Sequence, residues 1–534
     1  MMIKKIIVEN YKCLDKFELE LNNDLNIIVG DNETGKSTLL EAVNLALTGQ
    51  LNGRSIGYEI SPYLFSKSAV DEYIANILKG INVAPPRIAI ELYLENAPEL
   101  ARLKGINNSL REDVPGLSVL IQFDEEYADE YKSYIENPEE IRTVPTEYYE
   151  AKWYSFDFNP VKAVSLPIKT TLVDTTSVRL QNGTDYYIQK TIEDILEKKE
   201  RAGLSLTYRK LREAFSEEDS IKSVNERLKK SGDIISSKNL TVSIDISQRT
   251  NWEANLTSCL DDIPYQHIGK GDQNILKMIF ALERKKAKES QVILIEEPEN
   301  HLSFSTMNKL VNMISEKCKE KQLIITTHSA FVLNKLGIEK MILLSDKLST
   351  MSLKDLSDDT QKYFKKLPGY DTLRLVLAKK SILVEGPSDE LFVQKAYFQK
   401  NKKLPIEDGI DVISVKGLSA KRFLEIAKIL KKMVAVVTDN DGKPDKVKEK
   451  YEGYLKEENI KICYDAKDAE CTTLEPQIAK YNELELLNKI FGSAYEKKED
   501  VVAYMVGNKT ECALKLFETA ETITIPPYVE EAIQ

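Results

Sequence analysis

Apolar and polar positions alternate along residues 2–9 (MIKKIIVE), and 16–29 (KFELELNNDLNIIV) alternates first and then closes in an apolar run. A period of two predicts strands for both. LLEAVNLALTG after residue 38 carries apolar residues at helical spacing, and 86–95 (RIAIELYLEN) reads as another strand. Residues 100–190 are rich in Tyr, Glu and Pro and show no usable period. From about Tyr187 to Lys230 apolar residues recur every three to four positions among many charges, which predicts a helical arm broken at Gly203 and Ser216–Asp219. Strands are expected at 239–246, 291–299 and 322–329, and residues 345–375 are polar and mixed. SILVEGPSDELFVQKAYF (381–398) reads strand, turn, helix, with further apolar strands at 410–417 and 433–441. That βαβ rhythm predicts a second, parallel-sheet domain.

The second strand runs directly into Gly30-Asp-Asn-Glu-Thr-Gly35-Lys36-Ser37-Thr38, the G-x-x-x-x-G-K-[ST] pattern of a P-loop. Strand, glycine-rich loop and helix are the context that this pattern needs. The glycines let backbone N–H groups wrap phosphates at a helix N-terminus. Gly30, Asn32, Gly35, Lys36, Ser37 and Thr38 are therefore the expected ATP contacts. Lys36 is expected on the β/γ-phosphates, and the Ser37 hydroxyl on Mg2+.

Composition adds limits. At 534 residues the chain is too long for one core. No run approaches the length of a membrane span, and MMIKKIIVEN lacks a signal core, so a cytoplasmic protein without membrane partners is expected. Six cysteines include no C-x-x-C pair, which argues against structural zinc. The net charge of −11 argues only weakly against nucleic acid, since it is blind to local patches.

VILIEEPE (292–299) supplies an apolar strand that ends in Glu296 and Glu297. Glu296 is expected beside Mg2+, where the usual residue is Asp, and Glu297 is expected to polarise the attacking water. The three histidines, His267, His301 and His328, all fall at or beside such motifs. His328, in TTHS, resembles the switch histidine of ABC ATPases. Gly269-Lys270-Gly271-Asp272-Gln273 resembles their L-S-G-G-Q signature loop, and Lys12 stands where a basic residue nears the nucleotide. Gly269, Gly271 and Gln273 are then expected to complete the ATP site of a second subunit, which implies a head-to-tail dimer.

In the last third, a strand ends in Glu385-Gly386, with Asp389 on the next helix, and another ends in Asp439-x-Asp441. Ends of parallel strands converge on one edge. Glu385, Asp389, Asp439 and Asp441 are expected to share one or two Mg2+ or Mn2+ ions, which prefer carboxylate oxygen. Such a pair stabilises both oxygens of phosphodiester cleavage. Glu475, in TTLEP, is a further acid. Residues 392–461 hold 16 Lys and Arg against 11 Asp and Glu, including Lys416, Lys421 and Arg422, a local excess suited to a phosphate backbone.

The E-G-x-x-D and D-x-D elements resemble the TOPRIM pattern. A P-loop ABC ATPase followed by TOPRIM resembles the OLD (overcoming lysogenization defect) family over nearly the whole chain. The resemblance implies an α/β chain: ABC ATPase at 1–186 and 236–345, a helical insertion at 187–235 of the kind that serves dimerisation, a linker at 346–378, and a TOPRIM nuclease domain at 379–534. It implies an ATP-binding dimer or higher oligomer that nicks or cuts DNA with two metals, in several relatives as part of antiphage defence. Partner proteins there include a helicase, or a reverse transcriptase with its RNA–DNA product. It assigns Glu385 and Asp389 to the first acidic pair, Asp439 and Asp441 to the D-x-D, and Glu475 to the later L-E element. A C-terminal lysine is also implied as a catalytic group; Lys509 is the candidate and Lys515 its competitor. TLEP lacks the aspartate that often precedes L-E. The alternative is an SMC-like DNA-binding ATPase whose TOPRIM domain docks a partner without cleavage.

Overall fold

The computed structural model describes residues 1–81, 83–174, 180–181, 184–185, 196–232, 242, 259–345, 350–416 and 420–534. Apart from Val242, the strand expected at 239–246 lies outside them, as does the start of the helical arm. By contact density the chain forms two compact units: Met1–Leu25 with Ser37–Thr326, and Asn26–Lys36 with Thr327–Gln534.

The first unit holds an antiparallel sheet in the order Leu14–Glu20, Ile3–Tyr11, Ile88–Leu94, Val114–Phe123, with Tyr149–Ser155 paired to the last. Ile3–Tyr11 alternates as expected, burying Ile3, Ile6, Val8 and Tyr11. The run 16–29 is two strands, Leu14–Glu20 and Leu25–Val29, separated by the Asn22-Asn23-Asp24 turn. Asn and Asp favour turns by bonding nearby backbone, and Asn22 Nδ2 donates to Leu25 O at 3.2 Å. The unit also holds three parallel strands, with Val292–Glu296 between Thr170–Asp174 and Gln322–Thr326. Val292 to Ile295 are all buried, as a strand covered on both faces requires.

The helical arm is present as Lys198–Glu217 and Asp219–Gly232. A capping box between Glu197 and Glu200 starts the first helix. Leu204, Leu211 and Phe215 lie exposed along it at helical spacing.

In the second unit Leu25–Val29 pairs in parallel with Met341–Leu344, which pairs antiparallel with Thr350–Ser352. The stretch expected as a linker carries two helices, Asp358–Lys366 and Thr372–Leu377. Ser357 caps the first, accepting from Thr360 N, and Phe364 anchors it. Behind them stands a four-stranded parallel sheet, in the order Ile410–Ser414, Lys380–Val384, Met433–Val437, Ile460–Cys463. The helix Pro387–Asn401 and the C-terminal helices cover it, with Ile382, Val384, Phe392, Val437, Leu516 and Val529 in one core. Among the described residues no helix is long and apolar enough to cross a membrane, and no cysteine is disulfide-bonded.

Candidate nucleotide and carboxylate sites

The P-loop takes its shape from positions that a side chain would disturb. A Cβ on Gly30 would stand 2.6 Å from Thr34 Oγ1 and 2.8 Å from Leu344 O, and Gly35 has φ of +95°. Only glycine suits both demands. The Lys36 ammonium is buried inside the loop and donates to Gly30 O at 2.9 Å and Asp31 O at 2.7 Å. Asn32 lies exposed at the loop's rim. In the same unit His328 is exposed at the end of its strand, just before the cap residue Ser329 of the helix Ala330–Leu336.

In the first unit Ser37, Thr38, Lys12, Glu41, Asp174 and Glu296 line one cavity of about 240 Å³. Asp174 and Glu296 stand opposite each other in register on parallel strands. Burial raises the Glu296 pKa; the Ser37 hydroxyl bond opposes this, and Asp174, Glu297 and Glu41 add to it. Crowded carboxylates beside a P-loop hydroxyl are suited to a hard divalent cation. Lys12 pairs with Glu41, which also accepts a hydrogen bond from the Tyr11 hydroxyl.

Glu297 adopts φ of +42° and His301 +60°, both unusual for residues with a side chain. The Glu297 carboxylate accepts from Asn300 Nδ2 at 3.0 Å. Gly271 opens its helix against His301 O, which an added Cβ would approach to 2.8 Å. Gln273 is buried and turned inward, donating to Tyr265 O at 2.8 Å and Ile268 O at 3.2 Å. It locks its own loop, in which Gly269 is exposed and Gly271 packs against His301 O.

At the other site, the strand ends converge as topology requires. Glu385 follows Lys380–Val384, and Asp439 follows Met433–Val437 by two residues. Glu385 Oε1 accepts from the Thr438 hydroxyl and from Asp439 N at 3.2 Å. Asp389, in the first turn of Pro387–Asn401, accepts from Gly386 N at 2.9 Å. Glu475 is buried, accepts from the Thr473 hydroxyl at 2.7 Å and pairs with Lys509 Nζ at 3.1 Å. Thr473 thus orients Glu475 from the very position, before Leu474-Glu475, that lacks the aspartate. Lys515 instead points to Glu511 and Phe491 O, so of the two candidate lysines Lys509 alone is among the acids.

Burial, followed by repulsion from Glu385 and Glu475, raises the Asp389 pKa to about 6, against the opposing Gly386 bond. Burial, then Asp389, Glu385 and Glu475, pushes Asp439 to about 8. Lys509 lowers both. Asp441 is exposed with φ of +46°, its N–H donating to Thr472 O at 3.2 Å. The structure therefore gathers Glu385, Asp389, Asp439, Glu475 and Lys509, and leaves Asp441 at the margin. Among the described residues no three Asp, Glu, His or Cys side chains already stand in coordinating geometry. The donor set still fits a hard cation: four carboxylates repel one another with one ammonium to offset them.

Four supporting residues were missed by sequence reasoning. Thr438 and Thr473 fix carboxylates, and Asn300 fixes Glu297. Buried Tyr528, on the last helix, has its hydroxyl pKa raised by burial and then by Asp439, Asp389, Asp465 and Glu475. Thr473 lies two residues before the acid it holds and was legible as a neighbour; Thr438 meets Glu385, and Tyr528 the acids, only through folding.

The Asp439 shift has a defined consequence for stability. A carboxyl group that ionises near 3.8 in an unstructured chain and at about 8 in the fold keeps its proton where the unfolded chain has lost it. Its contribution is complete below about pH 4 and disappears as pH rises through about 8. The metal-free protein should lose melting temperature between pH 6 and 8.5, and Asp439→Asn should lose less. Equal losses would show that Asp439 does not carry the shift.

These features define the class: a P-loop ATPase followed by a parallel α/β domain with an acidic strand edge. Residues 1–333 match the family described as AAA ATPase domain, and residues 376–441 match the Overcoming lysogenization defect protein-like TOPRIM domain. The chain belongs to that ATPase family and has the domain order of an OLD-family ATPase–TOPRIM fusion. It is 51% identical over 45 residues to Structural maintenance of chromosomes protein 6 of Saccharomyces cerevisiae, spanning 8% of this chain and 4% of that protein. It is 40% identical over 57 residues to the DNA double-strand break repair Rad50 ATPase of Nanoarchaeum equitans, spanning 11% and 7%. Among solved structures it is similar to an SmcHead bound to the C-winged helix domain of ScpA (TM-score 0.35, 12% identity, 67% of this chain and 100% of that one). The SMC head domain of Thermotoga maritima gives 0.28 at 13% identity, over 64% and 94%.

Proposed function

We propose that this chain is a divalent-metal-dependent DNA endonuclease whose cutting is governed by ATP. The observation that carries this reading is the gathering of Glu385, Asp389, Asp439, Glu475 and Lys509 at one strand edge, in a chain that also has a P-loop. Mg2+ or Mn2+ held by the carboxylates supplies Lewis-acid stabilisation of the oxygens at the scissile phosphate. Glu385 and Thr438 fix the geometry of the edge. Lys509, held by Glu475, places positive charge beside it, suited to charge developing on the phosphate.

Lys36 and the loop N–H groups are assigned to the nucleotide phosphates, and Ser37 and Glu296 would hold Mg2+. Glu297, oriented by Asn300, is assigned to positioning water, and His328 to sensing the γ-phosphate. Gly269 and Gly271 serve the ATP site of a second copy. Leu204, Leu211 and Phe215 on the arm offer that copy an apolar contact. A cytoplasmic role in antiphage defence, alone or beside a helicase or a reverse transcriptase, belongs to the same proposal.

Incubation of the full chain with supercoiled plasmid should give nicked circles in Mg2+ or Mn2+ and none in EDTA. The resemblance of the ATPase part to SMC and Rad50 proteins favours a second reading, DNA binding without cleavage. DNA-stimulated ATP turnover with intact plasmid would establish that reading and overturn ours.

A further inference from the structure

The sheet end that carries the acids also presents Lys416, which the sequence placed only within a general basic excess and to which the site described above gives no specific role. Ile410–Ser414 lies beside Lys380–Val384 in parallel, and Val415 N–H donates to Val384 O at 2.9 Å. The register pairs Val384 with Ser414, so Val415 stands level with Glu385 and Lys416 follows one residue beyond, at the same end of the sheet. Lys416 has φ of +51°, a conformation that costs on the order of 1 kcal/mol or more for a residue with a side chain. Its ammonium lies 5.5 Å from the centre of the Tyr370 ring, and the side chain is exposed. Tyr370 is itself held, since its hydroxyl accepts from Tyr363 at 2.8 Å and its carbonyl accepts from buried Asn334 at 2.9 Å.

Two other cations of this domain are engaged elsewhere. Arg422 pairs with Asp359 and stacks on Tyr363, and Lys509 pairs with Glu475. Among the described residues Lys416 has no carboxylate partner. A cation braced on an aromatic ring, with no carboxylate partner among the described residues and at the sheet end that carries Glu385, is placed to meet a group of opposite charge that arrives with the substrate.

Building on the endonuclease reading above, we propose that Lys416 binds a backbone phosphate of the DNA strand next to the scissile one, with Tyr370 as the brace that fixes its direction. Four carboxylates repel a polyanion, so a phosphate contact at this edge supplies positioning that the acids cannot. Each phosphate neutralised by a lysine releases condensed counterions, which lowers the slope of log K against log salt by about 0.9 for duplex DNA.

The test uses the full chain carrying Glu385→Ala, so that the DNA stays intact, and a fluorescent duplex titrated between low and moderate salt. Adding Lys416→Ala should reduce the salt slope by about one and weaken binding about tenfold at low salt, while Lys416→Arg keeps both near the parent. In the cutting-competent chain, Lys416→Ala should raise KM with little change in kcat, and Tyr370→Leu should do the same more weakly. An unchanged slope with unchanged affinity overturns the proposal. So does a loss of binding that Arg fails to rescue and that comes with a lowered melting temperature, because Lys416 would then only tie Tyr370 to the sheet. If the parent binds no DNA at any salt, the endonuclease reading itself falls; binding by the parent with no effect of Lys416→Ala refutes only the phosphate contact.

Discussion

Glu385→Ala should reduce plasmid nicking about 10³-fold or more, on the order of what loss of one essential electrostatic group costs. The carboxylate does two things at once. It accepts from the Thr438 hydroxyl and from Asp439 N, so it joins two neighbouring strand ends into one fixed edge. It also supplies part of the negative charge that raises the Asp389 and Asp439 pKa values. Without it both acids should ionise at lower pH, yet cation binding should weaken because one hard donor is gone. Glu385→Gln separates the two roles, since it keeps the shape and an acceptor oxygen and loses only the charge. It should be nearly as inactive as the alanine variant, with a melting temperature closer to the parent. Binding of a fluorescent ATP analogue should be unaffected in both. Full nicking by Glu385→Ala would remove the strand edge from the chemistry.

How much of this was legible in the sequence depended on how locally each feature is encoded. The P-loop was readable because a glycine pattern, a strand and a helix occupy one short stretch. Glu385 and Asp439 were readable because a parallel sheet brings strand ends together whatever the intervening chain does. The strands Val114–Phe123 and Tyr149–Ser155 were not. Tyr149–Ser155 buries fully only its two end residues, so it leaves no alternation to read. The helices at 358–366 and 372–377 were missed for a related reason. Asp358–Lys366 buries only Thr360 and Phe364, so its composition is that of a linker. Lys509 and Lys515 share one helix six positions apart, hence on different faces, and only the fold distinguishes them. Asp441, half of a D-x-D motif, shows a limit of spacing: it places the residue just past the strand end, while its left-handed backbone and exposure are set by the fold.

Lys36→Met should abolish ATP binding at concentrations that saturate the parent, a loss of about 10²-fold or more in affinity. The Lys36 ammonium is buried and satisfied by two loop carbonyls, Gly30 O and Asp31 O, and hydrogen bonds to a charged group contribute roughly 1.5–3 kcal/mol each. Methionine keeps the stem and so limits the cavity, which makes it a cleaner test than alanine. The consequence for nicking follows from the second unit, which contains both Lys36 and the carboxylate edge. There Thr327 N–H donates to Ile28 O on the P-loop strand, and Ser329 caps the helix that carries Asn334. Asn334, fully buried, donates to Pro368 O and Tyr370 O and accepts from the Thr372 hydroxyl. Thr372 opens the helix from which Arg374 forks onto Asp411, on the strand beside the one that ends at Glu385. A contiguous chain of bonds of this kind is a route for coupling only if its equilibrium responds at both ends. ATP should therefore change the nicking rate of the parent and leave Lys36→Met unchanged, with both equal in the absence of nucleotide. An ATP response that survives in Lys36→Met would place nucleotide sensing outside the P-loop, and the bonded route through Asn334 would then be scaffolding alone.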